Sequence, residues 1–207
     1  MFTKKISLFL LFMLCLAFSA FAGSIAEYTA DMVNVKTGRV TQKIAVMPNK
    51  MYFESLNDQG KRDGIVIVRL DQKKLYVVME DTKSYMERPF DKDRFTAADL
   101  SMGQIDVQTK QEKVGSEKVS GYKADKFRNT VTMQIMGMNK TYQSYQWMAP
   151  EFDPMPIRTE NEGVVLEMRN IKTGRPNASL FEPPNGYKRD TQMEQMMEQM
   201  KGGKGGK

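Results

Sequence analysis

The chain contains no histidine, and its one cysteine is Cys15. Ser-His-Asp and Cys-His catalysis both need an imidazole to carry the proton, so both are excluded. Zinc sites built on His and Cys are excluded with them. Asp, Glu, Lys and Tyr remain for acid–base work. They are plentiful, but they fall in strand-and-turn patterns expected of a solvated face, and two carboxylates of unknown separation do not make a glycosidase. The chain therefore reads as non-enzymatic, with no catalytic residue, no cofactor and no metal expected. The residue type in excess is methionine, 18 in 207 positions. Thioethers are soft ligands for Cu(I), and two clusters stand out: Met133, Met136 and Met138, then Met193, Met196, Met197 and Met200. In a strand Met133 and Met136 point to opposite faces, which makes them poor co-ligands. Met is also a flexible filler of adaptable apolar surfaces, so copper binding stands as an alternative and not as the main reading.

The elements that would position any site begin after a leader. Lys4 and Lys5 precede an almost wholly apolar run from Ile6 to Phe18, then Ser19-Ala20-Phe21-Ala22 and Gly23. That is the secretory pattern of charge, apolar stretch and A-x-A, with cleavage expected near Ala22. The run is shorter than the roughly 20 residues a membrane span needs. Cys15 would have to follow a small residue to be a lipid-attachment site; it follows Met13 and Leu14 instead and reads as part of the signal. Residues 1–22 are thus a signal peptide. The remainder is expected in the periplasm, with release to the medium as an extension of the same route. Without Cys15 no disulfide framework is available. Without Lys4 and Lys5 the net charge falls from +6 to +4. No Arg/Lys run marks a nucleic-acid site, though transient contact with an anionic membrane surface is compatible with the charge.

From Ala26 onward the chain reads as strands joined by turns. Ala26, Tyr28, Ala30 and Met32 alternate with Glu27, Thr29 and Asp31, which is the period of a half-buried strand. Val40, Gln42, Ile44 and Val46 share the next face, and Met51, Phe53 and Ser55 the one after. Gly64–Leu70 is apolar on both faces and reads as a central strand. Leu75–Met79 returns the chain, and Tyr85–Glu87 is short. The connections are too brief for crossover helices, so an antiparallel meander is expected. Arg94–Met102 is a helix candidate, with Thr96 as cap, Asp99 in the capping box, and Phe95 and Leu100 as staple; a 3₁₀ turn or loop is its alternative. Strands resume at 108–114 and 121–127 around a turn at Gly115–Lys118, then at 129–136 and 140–148 around Gly137–Asn139. Pro150, Pro154 and Pro156 make a connector, and 157–159 and 164–170 form a further hairpin. These elements make one β-rich domain, 23–189. In the tail, 190–207, Met193, Met196, Met197 and Met200 lie at i, i+3, i+4, i+7, one face of a helix over Gln192–Met200. That methionine face is expected to lie apart from the main core.

An exported chain of this size carries, in order, the Tyr/Ala/Met alternation, Val119-x-Gly121-Tyr122, Trp147 ahead of Pro156-Ile157-Arg158, and Phe181-x-Pro183-Pro184-x-Gly186-Tyr187. Over roughly residues 24–188 it resembles the periplasmic relatives of the lipoprotein carriers LolA and LolB, in particular an uncharacterised branch of that superfamily. The resemblance implies a mainly β fold: a curved antiparallel sheet, an incomplete β-barrel, with a short helical plug. Its concave apolar face would receive an acyl chain or another apolar ligand.

The residues make a related point by themselves. One face carries Met32, Ile44, Val46, Met51, Phe53, Val66, Val68, Leu75, Val77, Met79 and Leu166, and a sheet must bury its apolar face against something. A nine-residue helix cannot cover it. Either the sheet curls on itself or it leaves room for a ligand. With Tyr28 and Trp147 added, these are the thirteen candidate ligand-binding residues. Two further readings stand beside a lipid or acyl-chain ligand: an envelope interaction protein with a packed core and a protein partner, and copper binding through methionine.

Overall fold

The computed structural model describes residues 27–90, 106–135 and 138–202. The expected leader with Cys15, the helix candidate Arg94–Met102, and the side chains of Met133, Met136, Met138, Met197 and Met200 lie outside the described residues. The strands are β1 (Tyr28–Asn34), β2 (Val40–Met47), β3 (Lys50–Leu56), β4 (Arg62–Arg69), β5 (Lys74–Met79), β6 (Ser84–Pro89), β7 (Asp106–Val119), β8 (Tyr122–Ile135), β9 (Met138–Met148), β10 (Pro156–Asn161), β11 (Val164–Thr173) and β12 (Lys188–Arg189). Short 3₁₀ turns occupy Pro150–Phe152 and Ala178–Phe181, and an α-helix, α1, spans Thr191–Gly202. No helix among the described residues is long and apolar enough to cross a membrane. The fold class is the expected one: mainly β, an antiparallel sheet not closed into a barrel, with a C-terminal helix. The described chain forms two compact units, and β11 begins in one and ends in the other.

The first unit holds the meander β1 to β6, the end of β11, β12 and α1. Its strands lie in the order β12-β6-β5-β4-β3-β2-β1. Tight turns set the register. Met47 pairs with Lys50 across Pro48-Asn49, and Asn49 takes φ +62°. Proline followed by a left-handed asparagine is the signature of a type II turn. In this register Tyr28, Val46, Met51, Val68 and Leu75 form one cross-strand row, ending at Arg88. Ala30, Ile44, Phe53, Val66, Val77 and Met86 form the next. Met32, Gln42, Ser55, Gly64, Met79 and Ser84 form the third.

The opposite face of this unit departs from the expected alternation. Tyr52 and Glu54, which alternation alone places on the solvated side, are buried. Ala45, Met47, Tyr52, Ile65, Ile67, Tyr76 and Val78 cluster there around Phe181, with Leu180, Tyr85 and Tyr187 against them. The segment around Phe181, with Leu180 and Tyr187, is thus a cover for the second face.

The other unit holds β7 to β10 and the start of β11, in the order β11-β10-β9-β8-β7. Here the structure corrects the turn placed at Gly115–Lys118 and the break at Arg128. β7 and β8 are continuous strands of 14 residues each, paired along their length. Gly115 sits at a register shift, a β-bulge, and the reversal comes later, at Ser120-Gly121 between the paired Val119 and Tyr122. Both loop residues have positive φ, +50° and +90°. A two-residue loop of that type matches the right-handed twist of the strands it joins.

The C-terminal segment returns to the first unit and seals a sheet edge. β12 runs parallel to β6, pairing Lys188 with Ser84 and Arg189 with Tyr85. The Asp190 amide donates to the Tyr85 carbonyl at 2.8 Å. Asp190 then caps α1, its carboxylate accepting from the Met193 amide at 2.9 Å. Glu194 accepts from the Glu87 amide at 2.6 Å and from Arg189. The helix expected at Gln192–Met200 is present, held to β6 through these polar groups; Met196 is 53% exposed. Removing residues 190–207 should therefore lower Tm by only about 2–4 °C. It leaves the β6 edge open at Glu87, and unpaired edges associate, so size-exclusion chromatography should show concentration-dependent self-association. A Tm drop beyond roughly 10 °C would place α1 in the core.

Candidate functional site

Eleven of the thirteen expected residues fall in the three rows of the β1–β6 unit. Tyr28, Val46, Met51, Val68 and Leu75 are in the first, Ile44, Phe53, Val66 and Val77 in the second, Met32 and Met79 in the third. They share one face because period two and five antiparallel pairings place them there. All are buried except Val77 and Met79, which are half-buried. The second row is apolar from end to end across six strands. The third is mixed, and Gln42 in it is 5% exposed.

The remaining two candidates lie in the other unit, and they do not share a face. Trp147 belongs to the cross-strand row Lys126-Trp147-Arg158-Glu167. Leu166 belongs to the adjacent row Phe127-Gln146-Thr159-Leu166, whose side chains point to the opposite side. Their grouping in one lining is corrected by the register of β9, β10 and β11. Trp147 is 3% exposed. The Lys126 ammonium lies 4.5 Å from its ring centre and the Arg158 guanidinium 5.5 Å. Its indole N–H donates to the Glu117 carboxylate. Arg158 donates in turn to Glu167 at 2.6 and 3.0 Å, and Ser120 donates to the same carboxylate at 2.8 Å. The motif residues Trp147 and Arg158 thus meet at one stacked, charge-paired ring, with Ser120 tied to the same Glu167.

The cover on the back of the β1–β6 sheet is fastened by Arg69, which sequence reasoning missed. Its side chain is almost fully buried. It donates to both oxygens of Asp71 at 2.8 and 2.9 Å, to the Phe181 carbonyl at 3.2 Å and to Glu182. The hydrogen bonds from Arg69 hold the Asp71 carboxyl below its ordinary value. No sequence signal marks Arg69, because its partners at 181 and 182 are set by the return of the chain.

On the same back face an open groove of about 650 Å³ is lined by Lys43, Tyr52, Glu54, Lys172 and Leu180 among others. Of the thirteen candidates only Ile44 borders it. The Tyr52 hydroxyl donates to Glu54 at 2.6 Å, and Arg62 donates to the same carboxylate at 3.1 Å. Burial, then the adjacent Glu54, push the Tyr52 hydroxyl well above its ordinary value. It stays protonated at any physiological pH and acts as a hydrogen-bond donor, not a base. Among the described residues no group of His, Cys, Asp and Glu could hold a metal ion.

Residues 29–149, more than half of the chain, match the model of a family described as a domain of unknown function, DUF4412. No curated protein matches. Among solved structures the chain is similar to an uncharacterised conserved protein of Thermus thermophilus, at 13% identity and TM-score 0.45, covering 81% of this chain and 91% of that one. It is similar to lipoprotein LppX of Mycobacterium tuberculosis at 12% identity and TM-score 0.36, covering 75% and 89%. A domain from Vibrio parahaemolyticus described as that of an outer membrane lipoprotein-sorting protein gives 10% identity and TM-score 0.29, covering 85% and 94%.

Proposed function

We propose that this chain, which belongs to the DUF4412 family, is an exported, non-enzymatic binding protein that holds a lipid or another apolar ligand against the β1–β6 sheet. One observation carries the reading. The row led by Ala30 is apolar across six strands and the row led by Tyr28 across five, up to Arg88, while the back of the same sheet has its own cover in Phe181. A band this wide with a few polar groups beside it is the composition of a small-molecule site. The absence of any histidine supports a binding role over a catalytic one. The thirteen candidates reduce, in this reading, to the eleven in the β1–β6 unit.

The burial of Tyr28, Val46, Phe53 and Leu75 supports a second reading, an envelope interaction protein whose interior is filled by its own side chains. The two differ in one measurement. Protein purified from the envelope without detergent is examined by native mass spectrometry, then stripped by organic extraction and offered a fluorescent fatty-acid probe. Ligand binding is expected to give a co-purifying mass that extraction removes, and saturable uptake of the probe afterwards. Protein that carries no added mass and takes up no probe supports the filled interior instead.

A further inference from the structure

The open groove on the back of the β1–β6 unit holds polar groups that the fold does not use up. Its lining crosses four neighbouring strands, β11, β1, β2 and β3, about 14 Å at the usual strand spacing. Glu54 in that lining has a side chain only 10% exposed. One carboxylate oxygen, Oε2, accepts from the Tyr52 hydroxyl and from Arg62. The other, Oε1, has among the described residues only the Lys43 ammonium beside it, at 3.8 Å, too long for a hydrogen bond. Asp31 is half-buried. Its Oδ2 accepts from the Asn170 amide at 2.8 Å, while Oδ1 accepts nothing among the described residues. Lys43 and Lys172 bring exposed ammonium groups to the same groove, and Ile171 and Leu180 a half-buried apolar patch.

The charges of the lining balance, Asp31 and Glu54 against Lys43 and Lys172. An ion of either sign that enters meets as many like charges as opposite ones. An alkyl chain fits no better, because it would cover two carboxylates and two ammonium groups without pairing them and would keep one side in water. A hydroxyl suits the lining, since it donates to a carboxylate oxygen and accepts from an ammonium at once. We propose that this groove binds a neutral oligosaccharide. Its hydroxyls donate to Glu54 Oε1 and Asp31 Oδ1 and accept from Lys43 and Lys172, and the C–H face of a ring rests on Ile171 and Leu180. An open groove also lets bridging waters complete the contacts of such a ligand at small cost. The site lies on the opposite side of the sheet from the apolar band and does not depend on the ligand assigned there.

The test records amide proton–nitrogen correlation spectra of the full chain during titration with four trimers: maltotriose and triacetylchitotriose, which are neutral, the cationic glucosamine trimer and anionic trigalacturonate. At least one neutral trimer is expected to shift amides around residues 29–31, 43–45 and 170–172 saturably, and to bind more tightly than both charged ones. Lys43→Met and Lys172→Met should each weaken that binding about tenfold, the worth of one hydrogen bond to a charged group. Both side chains are exposed, so Tm should stay where it is. No saturable shift with either neutral trimer overturns the proposal. Shifts that leave those three segments untouched, or binding that is unchanged in both variants, overturn the site. Tighter binding of a charged trimer overturns the ligand class.

Discussion

Phe181→Ala is expected to lower Tm by roughly 10 °C, measured by far-ultraviolet circular dichroism. Phe181 is fully buried and sits at the centre of the cluster formed by Tyr52, Ile65, Ile67, Tyr76 and Val78. Truncating a buried aromatic to alanine costs about 3–5 kcal/mol, the lost transfer energy plus the cavity left behind. For a chain of this size each kcal/mol moves Tm by about 2–4 °C. The local situation argues for the upper part of that range. Phe181 lies in a 3₁₀ turn whose carbonyl is held by Arg69, so the backbone cannot slide inward to refill the space. Leu180, half-buried beside it, is the internal comparison; Leu180→Ala should cost about a third as much. Equal, small shifts for both variants, under about 3 °C, would mean that the cover contributes little and that the meander is held from its other face.

Trp147→Ala is expected to have an effect of the same size for a different reason. The side chain is buried, which again sets a loss of about 3–5 kcal/mol. Lys126 and Arg158 also lose the ring they approach, about 0.5–1 kcal/mol for each such contact at a partly exposed site. Trp147→Phe separates the contributions. Phenylalanine keeps an aromatic face between the two cations and gives up the N–H donated to Glu117. It should recover most of the stability lost in the alanine variant. A phenylalanine variant as unstable as the alanine one would show that the bond to Glu117, not the ring, holds the row together. Because Trp147 is the one tryptophan in the chain, both variants are followed by circular dichroism rather than by indole fluorescence.

The front of the β1–β6 sheet was legible in the sequence because two signals agree there. The first strand, from Tyr28, alternates cleanly, and the residues that reverse the next ones, Pro48-Asn49 and the loop before Gly60, are turn formers. Parity alone then puts Ile44, Phe53 and Val66 on one face. The back was illegible because its burial is decided elsewhere. Tyr52 alternates with apolar neighbours and looks solvated until Phe181, more than 120 positions later, is laid over its face. Gly115 suggests a turn because glycine marks turns and bulges alike. Only pairing with β8 tells them apart. Trp147 and Leu166 were grouped by hydrophobicity, but the relative parity of two strands separated by a third depends on a register that no local pattern encodes. In the tail, the helical spacing was informative about form and misleading about attachment. The methionines define the stripe, while Glu194 and Arg189 on the polar side make the ties.

The return of the C-terminal segment sets an order of events for any process that delivers the chain from its N-terminus. Lys188 pairs with Ser84, 104 positions earlier, and Arg69 waits for a carbonyl 112 positions ahead of it. Until both have arrived, β6 is a free edge and the back of the meander is bare hydrocarbon. Contacts this distant in sequence form late, since the loop they close must be ordered first. The most aggregation-prone interval in the life of this molecule is therefore the time between release of β6 and release of residue 189. Its duration scales with the length of chain that separates them and not with the intrinsic stability of either unit.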